Sequence, residues 1–198
     1  MTDKTVATLD DLPAAPSGKT GWPWTEQSDP FPPTQPDGAP WPRVSVVTPS
    51  YNQEPFIEET IRSVLLQRYP NLEYIVVDGK SDDGTVEILR RYDSWIDHWV
   101  SESDRGQSHA INKGLNRASG EVITWLNSDD FYALGALAAM AQAFEAYGEG
   151  VGAIVGTGHK VNKEGEIVYT PTPSELSYEE FLNWMSGGNF MQPACFFV

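Results

Sequence analysis

The chain has 198 residues and a formal net charge of -15, with a pI of about 4.4. That length supports one domain plus a tail, and so negative a surface excludes general binding to nucleic acid or acidic lipid. A single cysteine, Cys195, permits no intramolecular disulfide. No stretch is apolar enough to span a bilayer, and the N-terminus lacks the apolar core of a secretory signal, so the expectation is a cytoplasmic protein.

Residues 1–42 read as a Pro/Trp-rich tail, disordered or docked on the surface of the domain. Pro13, Pro16, Pro23, Pro30, Pro32, Pro33, Pro36, Pro40 and Pro42 forbid regular helix or central strand. Trp22, Trp24, Phe31 and Trp41 are unusual in a pure linker. They either dock on the domain itself or recruit a partner.

The domain is expected over 43–198. Residues 44–48 predict a short buried strand that Pro49-Ser50-Tyr51-Asn52 breaks. Ile57, Ile61, Val64 and Leu65 follow at helical spacing, after a Pro55 suited to a first turn, and this helix is expected to end near Arg68. A second strand over 72–77 runs into Asp78-Gly79. This βαβ unit implies a parallel pair. A polar turn over 80–85 leads to a helix capped by Thr85. Residues 96–101 predict a third strand. Ser108 opens a helix with Ile111, Leu115 and Ala118 on one face. Gly120 then starts a strand that ends at Asn127-Ser128-Asp129-Asp130.

Strand and helix alternate throughout, which predicts an α/β fold with a mostly parallel central sheet and helices on both faces. A helix over 134–147, a strand over 151–155 and a hairpin around Lys163-Glu164-Gly165 add an antiparallel second half. Ser177 and Glu180 have capping-box spacing before Phe181, Leu182 and Trp184. Gly187-Gly188-Asn189 predicts a flexible loop. The apolar run from Met191 to Val198 closes the sequence without a turn, so the chain reads as a fragment of a longer one.

In a parallel sheet, residues 49–52, 78–79, 104–106 and 127–130 face one rim, where open α/β sheets bind ligands. Adjacent carboxylates at a strand end suit a hard divalent cation and therefore a phosphate-bearing substrate. The competing reading is an acidic turn that caps the next helix. No Rossmann glycine fingerprint or Walker A sequence occurs, and Gly156-Thr157-Gly158-His159-Lys160 reads as a turn. Without a glycine cradle, a diphosphate needs another counter-charge, which a metal on Asp129 supplies. Asp82 and Asp83 read as turn residues. Glu179 and Glu180 read as a solvated helix face. His109 reads as structural or ligand-facing, Trp95, Trp99 and Trp125 as core, and Trp184 as a candidate for stacking on a ligand.

Four blocks carry a resemblance. They are Val-Ser-Val-Val-Thr-Pro-Ser-Tyr-Asn at 44–52, Val76-Val77-Asp78-Gly79 with 81–85, Asp104-Arg105-Gly106 through Asn112-Lys113-Gly114, and 120–130. In order and spacing they resemble family 2 glycosyltransferases of the GT-A fold, over about 43–198. The resemblance implies an inverting, metal-dependent transfer of a hexosyl unit from a nucleotide sugar, with UDP favoured. The acceptor would be a carbohydrate, lipid-linked or other hydroxyl, in polysaccharide or cell-wall biosynthesis.

The resemblance also implies site residues. Pro49, Ser50, Tyr51 and Asn52 fall at the nucleobase pocket and Asp78 at the base or ribose. Asp104 and Lys113 flank nucleotide and sugar, and Asn127 and Ser128 contact the donor. Asp129 would ligate Mn2+ or Mg2+, and Asp130 would ligate or contact the sugar. Asn127 departs from the Asp-any-Asp pattern. The family's general base commonly follows a segment like Met191 to Val198. It is therefore expected beyond Val198, and no catalytic base is assigned. A catalytically silent nucleotide-sugar-binding domain is the alternative. A nucleotidyltransferase would want a basic, Gly-rich loop where Pro49-Ser50-Tyr51-Asn52 stands.

Overall fold

The computed structural model describes residues 6–147, 150–162, 165–171 and 191–198. The predicted capping box at 177–180, Trp184 and the Gly187-Gly188-Asn189 loop lie outside the described residues. Strands Val44–Ser50 (β1) and Leu72–Asp78 (β2) are buried along nearly all their length, as strands covered on both faces must be. Helix Ile57–Leu65 (α1) joins them. Helix Thr85–Arg91 (α2), strand His98–Ser101 (β3), helix Gln107–Leu115 (α3), strand Val122–Trp125 (β4) and helix Ala136–Tyr147 (α4) continue the alternation. Strands Ala153–Val155 (β5), Lys160–Val161 (β6) and Ile167–Tyr169 (β7) follow, then a 3-10 turn, Gln192–Ala194, and strand Cys195–Phe197 (β8).

The main sheet has the order β3-β2-β1-β4-β8-β5. The first four strands are parallel, and β8 runs antiparallel to both β4 and β5. The hairpin β6–β7 stands as a separate two-stranded sheet. Ser50 pairs with Asp78 and Val47 with Trp125. The carboxyl ends of β1, β2 and β4 therefore meet at one rim.

Two boundaries differ from the sequence reading. Tyr74 N–H donates to the Asp97 carboxylate at 2.8 Å, so the β3 ladder begins only at His98. Thr85 does not cap α2 through its side chain. The Asp83 carboxylate accepts from Thr85 N at 2.9 Å and from Glu54 N at 2.9 Å, while the Thr85 hydroxyl accepts from Gln53 N. A short acceptor two residues upstream serves better, because Thr85 is drawn toward the loop after β1.

Alternating residues of β1 and β2 feed two cores. Val46, Tyr74 and Val76 join α1 and α2 on one face. Val47, Ile75 and Val77 meet Ala110 of α3 on the other. A Cβ on Gly114 would lie 2.3 Å from Val47 Cγ1, so only glycine lets α3 sit this close.

Ala7, Leu12 and Trp41 belong to the first core, with Trp22 and Phe31 packed against it, and Trp24 is buried as well. Arg62 of α1 holds the N-terminal segment there. Its guanidinium, 1% exposed, donates to the carbonyls of Pro13, Pro23 and Trp24 and to the Tyr92 hydroxyl. A buried cation is tolerable only when its donors are so matched.

At the opposite, amino-terminal rim, Glu73 of β2 accepts from the hydroxyls of Ser45 and Ser119, from Ser119 N and from Arg43. Burial raises its carboxyl pKa, but those donors outweigh burial and hold it below the ordinary glutamate range. A depressed carboxylate contributes stability that is present above its unfolded value and lost as pH falls through the folded one. Glu73→Gln is expected to cost about 2 kcal/mol at neutral pH. That cost should shrink as pH falls below the ordinary glutamate range, as read by urea denaturation across pH. A pH-independent cost would contradict the assignment.

Candidate active site

The rim formed by β1, β2 and β4 opens into a cleft of about 550 Å³, within the size range of small-molecule sites. Pro49, Ser50 and Tyr51 line it from the end of β1, Gly79 from the end of β2, and Asp104 from the loop before α3. Asn127, Ser128 and Asp129 line it from the end of β4. Seven of the residues expected in the site thus share one cavity. Gln53, Ser103, Gly106, Gln107 and Ala110 complete the lining. Of these, only Gly106 is itself named in a motif read from the sequence. The available signal was position: each lies within a few residues of an assigned motif.

Four expected residues take other places. Asp78 is 0% exposed and does not line the cleft. Its carboxylate accepts from Ser81 N, from the Ser81 hydroxyl and from the Ser101 hydroxyl at 2.6 Å. Asp78 therefore ties the end of β2 to its own turn and to β3. Asn52, with φ of 53°, donates its N–H to Ser81 Oγ and accepts from Asp82 N, which latches two rim loops together. Lys113 pairs with Glu102 at 2.9 Å and donates to Ser103 O at 3.2 Å, steadying the loop that carries Asp104.

Asp130 is the fourth. Its carboxylate accepts from Asn127 Nδ2 at 3.0 Å. Burial pushes its pKa up, the Asn127 bond pulls it down, and the charge of Asp129 raises it further. Asp129 is the exposed member of the pair and the one that faces the cleft.

Val198, the position beyond which the general base is expected, is itself no part of the site. It follows β8 and does not line the cleft. Its N–H donates to Gly152 O at 3.1 Å, and its side chain is apolar and exposed. Its role is to extend the pairing of β8 with the chain that enters β5, and it offers no group that could take a proton.

Asn127 is clamped on every side. Its Oδ1 accepts from Gln107 Nε2 at 2.8 Å, and its Nδ2 also approaches Gln192 Oε1 at 3.3 Å. Gln192 in turn donates to Trp125 O at 2.7 Å. The amide therefore supplies donors that a carboxylate could not. Asn127→Asp would set two carboxylates at that 3.0 Å contact. It should destabilise by about 1–2 kcal/mol at pH 7 and be largely restored by adding Asp130→Asn. Thermal denaturation of the single and double variants checks this, and an unchanged midpoint in the single variant would contradict the clamp.

Among the described residues, two buried side-chain atoms of residues that line the cleft have no protein partner, Ser50 Oγ and Gln53 Oε1. Buried polar atoms rarely stay unpaired, so both are available to a ligand. A Cβ on Gly79 would lie 2.8 Å from Asp104 Oδ2 and 3.3 Å from the Tyr51 ring. The absent side chain lets a carboxylate and an exposed aromatic face flank one strip of backbone. Asp104 Oδ1 is meanwhile held by Gly106 N at 2.8 Å. Among the described residues that line the cleft, two are carboxylates and none is Lys or Arg. The cleft is negative, so an anionic ligand must bring or share a cation.

The profile of Glycosyl transferase family 2 matches residues 45–198. The chain belongs to glycosyltransferase family 2. The GalNAc(5)-diNAcBac-PP-undecaprenol beta-1,3-glucosyltransferase of Campylobacter jejuni is 32% identical over 155 residues, 75% of this chain and 50% of its own length. Among solved structures, the family 2 domain is similar to the mannosyltransferase PcManGT of Pyrobaculum calidifontis, determined with GDP-Man and Mn2+. Identity there is 33% with a TM-score of 0.52, covering 66% of this chain and 39% of the other. It is also similar to S. aureus TarS in complex with UDP-GlcNAc, at 28% identity and a TM-score of 0.50, covering 54% and 32%. The GT-A fold expected from the sequence is the fold of these neighbours. The chain spans half or less of the length of such relatives.

Proposed function

We propose that this family 2 domain binds a nucleotide sugar, UDP-linked in preference, with a divalent cation. In the whole protein it would serve transfer of a hexosyl unit to an acceptor hydroxyl with inversion. One observation carries the reading: the ends of β1, β2 and β4 converge on one cleft whose charged lining is Asp104 and Asp129. Further support comes from TarS, solved with UDP-GlcNAc, and PcManGT, solved with GDP-Man and Mn2+.

The donor set fits Mn2+ or Mg2+. Such ions take one or two carboxylates and complete their shell with water and substrate phosphate, and the cleft presents one forward-facing carboxylate at the motif and no cation of its own. Asp129 would hold the ion, and its charge would stabilise the departing nucleoside diphosphate. The chain's own residues orient the donor. Tyr51 offers a ring for the base, the Asp104 carboxylate accepts from base or ribose donors, and Ser50 Oγ and Gln53 Oε1 offer unspent bonds. The clamped Asn127 anchors the turn that carries Asp129 without adding a second charge. Asp78, Asn52 and Lys113 act one layer out, holding the loops from which these groups project. The acceptor class that best suits the reading is carbohydrate or lipid-linked, by analogy with the C. jejuni relative.

Calorimetry with a panel of nucleoside diphosphates, with and without Mn2+, tests this on wild type and Asp129→Ala. Wild type should bind UDP at least tenfold more tightly with Mn2+, and the substitution should remove that gain. Equal binding with and without metal in both proteins would defeat the role given to Asp129.

A further inference from the structure

The loop that follows Asp129 is held from two sides. From α1, Thr60 Oγ1 donates to Asp130 O at 2.7 Å and Ser63 Oγ accepts from Tyr132 N at 3.1 Å. Gln67 donates to Ala133 O at 2.9 Å and accepts from Leu137 N at 3.1 Å. Thr60, Ser63 and Gln67 lie at i, i+3 and i+7, so one stripe that runs from α1 into the turn after it grips the loop. From the other side comes the N-terminal segment. Trp22 Nε1 donates to Tyr132 O at 2.7 Å, and Ser28 Oγ accepts from Gly135 N at 3.1 Å. Tyr132 is thus bonded through its N–H to α1 and through its carbonyl to the segment.

The segment is itself firmly seated. Arg62 donates to three of its carbonyls. Ser28 N donates to Leu66 O at 3.0 Å. Trp24 and Trp41 are 6% and 4% exposed. Phe31 packs against Trp41 and Tyr69 with ring centroids 4.7 and 5.5 Å away. Yet the segment precedes the stretch 45–198 that matches the family, so its contacts with the loop are additional to the shared domain.

We propose that residues 6–42 form an intramolecular brace for the donor site. Trp22 and Ser28 are positioning residues that hold the loop behind Asp129, so that this carboxylate stands ready in the cleft. The proposal rests on the donor-binding role given to Asp129 above. Without the two bonds the loop is gripped from one side only. A fraction of molecules then presents Asp129 out of place, and apparent affinity falls by that fraction.

The test is calorimetric titration of UDP with Mn2+ into the full chain carrying Trp22→Phe, Ser28→Ala, both, or Gln35→Ala. Phenylalanine keeps an aromatic ring and removes only the N–H donor. Gln35 donates within the segment to Pro40 O and does not reach the loop, so it reports any general loosening of the segment. The expected result is a loss of about fivefold in affinity for each single brace variant, a larger loss for the double, and no change for Gln35→Ala. Ser28→Thr, which restores the hydroxyl, should recover binding. In the ligand-free double variant, the amides of Tyr132 and Gly135 should exchange hydrogen faster than in wild type. If the brace variants bind like wild type while Asp129→Ala does not bind, the brace is overturned and the donor reading stands. If wild type itself fails to bind, both are overturned.

Discussion

A polar helix face buried in the interior has to be satisfied, and that requirement organises this molecule. Thr60, Arg62, Ser63 and Gln67 of α1 and its last turn are all at most 2% exposed. Each unpaired polar group there would cost about 1–3 kcal/mol. Most of their partners are backbone groups of two segments with little regular structure of their own, the N-terminal stretch and the loop after β4, joined by the Tyr92 hydroxyl and the Leu137 amide of α4. α1 therefore packs its apolar side on the sheet and uses its polar side as a ladder for irregular chain. The loop that leaves the acidic motif acquires a defined path because the helix gives its carbonyls and amides somewhere to go.

The site depends on this arrangement and on strand register. Parallel pairing places the ends of β1, β2 and β4 together, and the charges are then sorted by burial. Asp78 and Asp130 turn inward to donors, whereas Asp104 and Asp129 face the cleft. Of the four rim carboxylates expected in the site, two are hydrogen-bonded to neighbouring side chains and do not line the cleft, and two line it. On the proposed reading, this sorting lets an acidic pocket take a diphosphate, because the anion and a hard cation would neutralise each other against one forward carboxylate.

Much of this was legible from the sequence, for a physical reason. Buried parallel strands need mostly apolar, β-branched runs, and residues 44–48, 72–77 and 122–126 have them. The rim motifs follow directly from where those runs stop. The direction of individual side chains was not legible. Asp78 reads as a ligand residue because it ends a strand, but Ser81 and Ser101, three and more residues away, capture it. Asp130 is captured by Asn127 in the same way. Arg62 looks like an ordinary surface residue on an amphipathic helix. Its burial is decided by Pro13, Pro23 and Trp24, about forty to fifty positions earlier, in a stretch that has no periodicity to betray its path.

The central claim is that one cleft, facing the carboxyl ends of the parallel strands, receives the diphosphate of an activated sugar at Asp129. A crystal structure of the chain grown with UDP and Mn2+ addresses it most directly. The expected result is an anomalous manganese peak at roughly 2.0–2.3 Å from an Asp129 carboxylate oxygen, with the base against Tyr51 and an oxygen or nitrogen of the nucleoside within hydrogen-bond reach of Asp104. Manganese and nucleotide bound elsewhere, with this cleft left to solvent, would contradict it.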